Sequence, residues 1–86
     1  MSEHDILMEL VDEQIALLKE RGLTREEAFV IGATVNDEET VERFGEIEAA
    51  RIANDAIRKS RNSDEVFANV MKALDIRPQN VIIENN

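Results

Sequence analysis

The side chains best placed to do chemistry in this chain are four glutamates, Glu38, Glu39, Glu42 and Glu46, spaced E-E-x-x-E-x-x-x-E. Side chains three and four apart are neighbours on an α-helix, so this spacing gathers carboxylates along one face. Carboxylates gathered in this way can hold a hard cation such as magnesium, which orients a phosphate and neutralises its charge. One helix face does not surround an ion, so a closed site needs a second acidic set on a later helix. The E-x-x-D pair available, Glu9 and Asp12, stands before the cluster instead.

The glutamate run resembles the first half of the magnesium site of helical nucleotide pyrophosphatases, in which an E-x-x-D motif follows on a later helix. The resemblance implies a magnesium-dependent nucleotide hydrolase, and the missing second motif removes that implication. Other chemistry has less support. His4 is the only histidine, and a zinc site needs three or four suitable ligands. Ser2, Thr24, Thr34, Thr40, Ser60 and Ser63 have no base partner to activate a hydroxyl. Lys19, Lys59 and Lys72 stand in no apolar pocket pattern, there is no cysteine, and no glycine-rich phosphate loop is present. The expectation is a protein that is not an enzyme and takes no cofactor and no metal.

Charge points to the kind of partner instead. The formal net charge is −9, and it is unevenly spread: residues 1–48 carry 14 acidic and 4 basic side chains, residues 49–86 carry 5 and 6. Such a chain is repelled by nucleic-acid phosphates and anionic membranes and attracted to basic surfaces. The expected partner is another protein with a basic surface, bound through Asp37, Glu38, Glu39, Glu42 and Glu46. The expected role is that of a small acidic regulator, adaptor or inhibitor, with a helix-turn-helix-like DNA-binding protein and a structural homo-oligomer as the alternatives, and a genome-compact source such as a bacterial virus would suit it.

Two further patterns bear on nucleic acid. Arg51, Arg58, Lys59 and Arg61 form a candidate anion- or nucleic-acid-binding strip, with Asp55 in its middle and no interleaved aromatics. The same bases would also complement a helix dipole and pair with neighbouring acids. The segment from Ile15 to Ile47 resembles DNA-binding helix-turn-helix proteins, in its Gly22 turn, its Ala28 and Gly32, and its late Thr40-Val41-x-Arg43-Phe44. That resemblance implies a recognition helix in the major groove. Here that helix begins Asp37-Glu38-Glu39, which phosphates repel, and the turn is about two residues too long. The run Leu23-Thr24-Arg25-Glu26-Glu27-Ala28 resembles a helix start of ubiquitin-associated domains over six residues, as any well-capped helix would.

The elements that position these residues are helices. With 86 residues the chain is one domain, 1–86, and buries only about 60–65% of its unfolded surface. It has no Trp or Tyr, and Phe29, Phe44 and Phe67 are its aromatics, so its core is aliphatic. A first helix follows Ser2 or His4, with Leu7, Leu10, Val11, Ile15, Leu17 and Leu18 as its stripe, and ends at Gly22. A second, capped by Thr24 with Glu27, carries Ala28, Phe29, Ile31 and Val35. A long central helix from Asp37 to Arg61 takes Asn36 as its cap, with Asn54 on its polar side. A last helix, capped by Ser63, runs from Asp64 to about Leu74 with Val66, Phe67, Val70 and Met71 on its apolar face.

The fold class expected is all-α: a small bundle of four helices, five if the central one breaks at Gly45, with a short extended C-terminal tail at Val81-Ile82-Ile83. Within the central helix Phe44 and Ile47 face away from Ala49, Ala53 and Ala56. The favoured explanation is that both sides bury, one of them against a second copy. The expected homodimer contacts are Phe44, Ile47, Ala49, Ala53, Ala56, Ile82 and Ile83. No apolar run is long enough to span a bilayer and Glu3-His4-Asp5 is the wrong start for a secretion signal, so the expected location is cytoplasmic.

Overall fold

The fold is known from a computed structural model, which describes residues 2–76. It is all-α, with five helices and no strand among the described residues. Helix α1 (Glu3–Glu20) opens on a capping box: Asp5 N donates to Ser2 Oγ at 3.2 Å, and Ser2 N donates to the Asp5 carboxylate at 3.3 Å. Gly22 ends it at φ 80°, with Gly22 N donating to Lys19 O and Leu23 N to Leu18 O. Those paired bonds are a Schellman closure, which needs a left-handed residue and so favours glycine. Helix α2 (Arg25–Val35) repeats the opening device with Thr24 and Glu27 at 3.1 and 2.9 Å.

The central segment takes the broken form, the second of the two expected. It is two helices, α3 (Glu38–Phe44) and α4 (Glu46–Arg58), separated by Gly45 at φ 85° and ψ 157°. That backbone region is essentially closed to residues with a Cβ, so Gly45 is what permits the break. The break also resolves the register conflict: Phe44 lies before it and Ile47 just after, so neither has to share a straight helix face with Ala53. The cap of α3 is Asp37, whose carboxylate accepts from Glu39 N at 3.2 Å, and not Asn36. Asn36 instead closes α2, donating its side-chain amide to Gly32 O at 2.9 Å. Helix α5 (Ser63–Ala73) is capped by Asn62, one residue ahead of the expected Ser63. It stops at Asp75, in the left-handed region at φ 57°, with a second Schellman closure in which Asp75 N donates to Lys72 O and Ile76 N to Met71 O.

Helix α4 is the hub and packs on each of the other four helices. Its buried residues are Ala49, Ala50, Ala53, Asn54, Ala56 and Ile57. At about 100° per residue they span an arc of roughly 160°, wider than one neighbour needs. Small side chains on that arc let the surrounding helices come close. Leu18 of α1, Ile31 and Val35 of α2, Val66 and Val70 of α5, and Leu74 just past its end complete the core around Ile57.

This corrects the dimer expectation at three positions. Ala49 and Ala53 are 0% exposed and Ala56 is buried, so the chain's own helices cover the alanine face and no second copy can reach it. Two expected core residues are also outside: Ile15 is 58% exposed and Phe29 76%. The expected tail contacts Ile82 and Ile83 lie outside the described residues. No described helix is long and apolar enough to cross a membrane.

Candidate interaction surface

Helix α3 is seven residues long and carries the densest run of acid in the chain. Asp37, Glu38, Glu39, Glu42 and Glu46 are all exposed. The described residues give none of the five an ion-pair partner within 4.0 Å. The one base among them is Arg43, and it turns away. Its guanidinium donates from Nη1 to Leu74 O at 3.1 Å and to Asp75 O at 3.2 Å, where it satisfies the open carbonyls at the end of α5. It also lies 6.0 Å from the centre of the Phe44 ring. Among the described residues the acids around it have no counter-charge. Glu46 is set apart from the rest by the Gly45 break, as the first residue of α4. Among the described residues no three acidic or histidine side chains cluster closely enough to hold a metal ion.

The basic strip behaves in the opposite way. Arg58 pairs with Asp55 at 2.6 Å and with Glu13 of α1. Arg51 faces Glu48 at 3.5 Å, and Arg61 faces Glu65 at 4.0 Å. Lys59 is the member of the four with no partner acid among the described residues. Pairing of this kind is worth little to stability when exposed, but it cancels the local field that would attract a phosphate. The structure therefore does not bring these four together as a free cationic site. The helix-turn-helix resemblance also loses its reading residue, because the Arg43 side chain is held by the end of α5.

Beside the acids lies an open groove of about 780 Å³, walled by Phe29, Val30 and Ala33 of α2, Thr40 of α3, and Met71 and Ile76 at the far side. Asp37, Glu39 and Asp75 stand among its lining residues. Helix α2 is apolar nearly all round. Ile31 and Val35 take one face into the core, which leaves Phe29, Val30 and Ala33 on the other. Sequence reading assigned Phe29 to the core and missed this groove. The signal was present in the excess of apolar residues over one stripe, since a helix apolar on all sides needs cover on all sides. A second depression, of about 530 Å³, is lined by Leu7, Phe44 and Ile47 with Glu3, Glu46 and Glu48 around them. Phe44 and Ile47 are each half-buried there.

A polar core feature was also missed. Asn54, 1% exposed, donates to Leu10 O at 3.1 Å and accepts from Gln14 Nε2 at 3.1 Å. Gln14 and Asn54 thus fix how α1 seats on α4, with every described buried polar side chain satisfied. The expectation had put Asn54 on the wet side of its helix; the arc of burial is wide enough to include it. Arg21 extends the same contact, donating to Ser60 O and Arg58 O, each at 3.1 Å, at the end of α4. Comparison with protein-family models, with curated proteins and with solved structures finds no match to this chain.

Proposed function

We propose that this chain is a non-enzymatic protein-interaction module that binds a basic surface of another protein through the acids of α3. The observation that carries this reading is the orientation of Arg43. The only base within the acidic run caps α5, so Asp37, Glu38, Glu39 and Glu42 present a negative surface with no counter-charge among the described residues. Uncompensated charge on a rigid helix steers an oppositely charged partner and weakens binding to like-charged ones. The same surface disfavours nucleic acid and anionic membrane as the target.

The structure sharpens the test. Asp37 caps α3, so its reversal would mix loss of charge with loss of the helix start. The informative variant is Glu38→Lys, Glu39→Lys and Glu42→Lys together. Affinity capture from source lysate with the native chain is expected to retain a basic protein, released as salt rises. The triple variant is expected to lose it. Equal capture by both chains contradicts the reading.

We read the working form as a monomer. Of the contacts expected to join two copies, Phe44 and Ile47 are the ones left partly accessible among the described residues. A twofold interface sets each patch against its own copy. Here that would bring two sets of Glu3, Glu46 and Glu48 together. Light scattering is expected to give the mass of one chain, 9.8 kDa, at low and high concentration. A stable dimer mass would restore Phe44 and Ile47 as a self-interface.

A further inference from the structure

We infer that the groove on the outer side of α2 seats an amphipathic helix of a partner protein, one whose apolar stripe is flanked by lysine or arginine. The inference rests on the reading above that the α3 acids bind a basic surface, and it names the form which that surface takes.

The near wall of the groove is one face of α2. Phe29, Val30, Ala33 and Thr34 stand at i, i+1, i+4 and i+5, so they line two successive turns on the same side of the helix. Among the described residues nothing covers that side: Phe29 is 76% exposed and Val30 49%. A single exposed Phe needs no explanation, but a contiguous apolar strip set in a concavity marks a place where something docks. Thr34, the polar member of the strip, donates its hydroxyl to Val30 O at 2.8 Å and so spends its donor within α2. Met71, on the far wall, is a flexible and polarisable side chain that fits itself to what it meets.

The charge of the lining gives the sign of the occupant. Asp37, Glu39 and Asp75 stand there against one base, Arg43, whose guanidinium already donates to Leu74 O and Asp75 O. A ligand with an apolar stripe and basic flanks answers the strip and the acids together. A second copy of this chain does not, because a twofold contact through α2 would set those three acids against themselves.

Backbone chemistry then selects a helix. The described residues contain no strand, so they offer no sheet edge to pair an extended peptide. A backbone buried in the groove needs partners for its N–H and C=O groups. A helix satisfies its own, and it presents side chains at i, i+3, i+4 and i+7, a spacing that matches a strip two turns long.

The test uses two end-capped peptides made of the same leucines and lysines. In one the leucines recur at i, i+3, i+4 and i+7; in the other they are shuffled so that no stripe forms. Each is titrated with the full chain by fluorescence anisotropy at low salt. The native chain is expected to bind the striped peptide at least about tenfold more tightly than the shuffled one. Phe29→Ser with Val30→Ser keeps the net charge and is expected to erase that difference, leaving both peptides bound as the native chain binds the shuffled one. Both side chains are exposed, so the fold survives to be measured. In a ¹⁵N spectrum of the native chain the striped peptide is expected to shift the amides of Phe29, Val30, Ala33 and Met71. Equal affinity for the two peptides, or a preference that survives the double substitution, overturns the inference and leaves the reading of the α3 acids standing. Shifts centred on Leu7, Phe44 and Ile47 overturn it in the same way. Binding of neither peptide overturns the inference and that reading together. A native dimer that the double substitution turns into a monomer overturns the inference in favour of a second copy.

Discussion

Helices α3 and α4 are joined by one residue, and each carries acid in its first turn and a base in its last, yet they use charge in opposite ways. In α4, Glu48 answers Arg51 and Asp55 answers Arg58, with Glu13 of α1 as a second partner. Its inner face is closed by alanine. In α3 no acid is paired within the described residues, and the arginine at its end serves another helix. The two helices have different places: α4 packs on every other helix, and α3 carries exposed acids. The spacing of acids and bases alone does not separate the two. What separates them is where each base is directed: Arg58 turns to Asp55 and Glu13, and Arg43 to the carbonyls of Leu74 and Asp75 at the end of α5.

Substitutions that follow this contrast should differ in size. The largest effect is expected in α4. Ile57 is 0% exposed at the centre of the core, and Ile57→Ala should cost about 2–5 kcal/mol through lost burial and the cavity left behind. Urea unfolding measures it as a lower midpoint at unchanged slope. A loss below about 1 kcal/mol would remove α4 from its place as hub.

Next comes the joint between the two helices. A Cβ on Gly45 meets no atom within 4 Å, so Gly45→Ala tests backbone strain alone. At φ 85° and ψ 157° the cost is expected to be about 1–3 kcal/mol by the same unfolding measurement. A neutral result would mean that α3 and α4 join as one straighter helix.

The smallest effect on stability is expected in α3. Exposed changes away from caps and core usually stay within about ±0.5 kcal/mol each, so Glu38→Lys, Glu39→Lys and Glu42→Lys should leave a folded chain. Some loss comes from reversing charge at the start of a helix. A collapse of the fold would show that these acids are structural.

Much of the helical plan was legible in the residues. Thr24 with Glu27 is a capping box by spacing and by geometry, and Gly22 ends α1 as its position suggests. Val66, Val70 and Leu74 bury as their period requires. The break at Gly45 was visible as a conflict of register between Phe44 and Ala53. Sequence favoured a second buried contact there, because a glycine inside a helical pattern is tolerated at about 1 kcal/mol and need not break it. Asn36 and Asp37 are adjacent cap formers, and local propensity does not choose between them; the start of α3 chose Asp37. Asn54 was assigned outward because amides are usually wet, and the position of Gln14 across the helix pair overrides that preference. In the acidic face, the carboxylates were legible and the direction of Arg43 was not, since it depends on the end of a helix 31 residues away.

The central claim is that the negative surface is local to α3 and not a property of net charge. Its most direct test compares two variants that change net charge equally. One carries Glu38→Lys, Glu39→Lys and Glu42→Lys. The other carries Glu9→Lys, Asp12→Lys and Glu26→Lys, at exposed acids on α1 and α2. Each is titrated against a labelled oligolysine peptide by fluorescence anisotropy at low salt. The account predicts that the α3 variant loses about tenfold in affinity, roughly 1.4 kcal/mol, while the other stays close to the native chain. Equal loss in both would mean that the chain attracts bases by its overall charge, and that α3 is no binding surface.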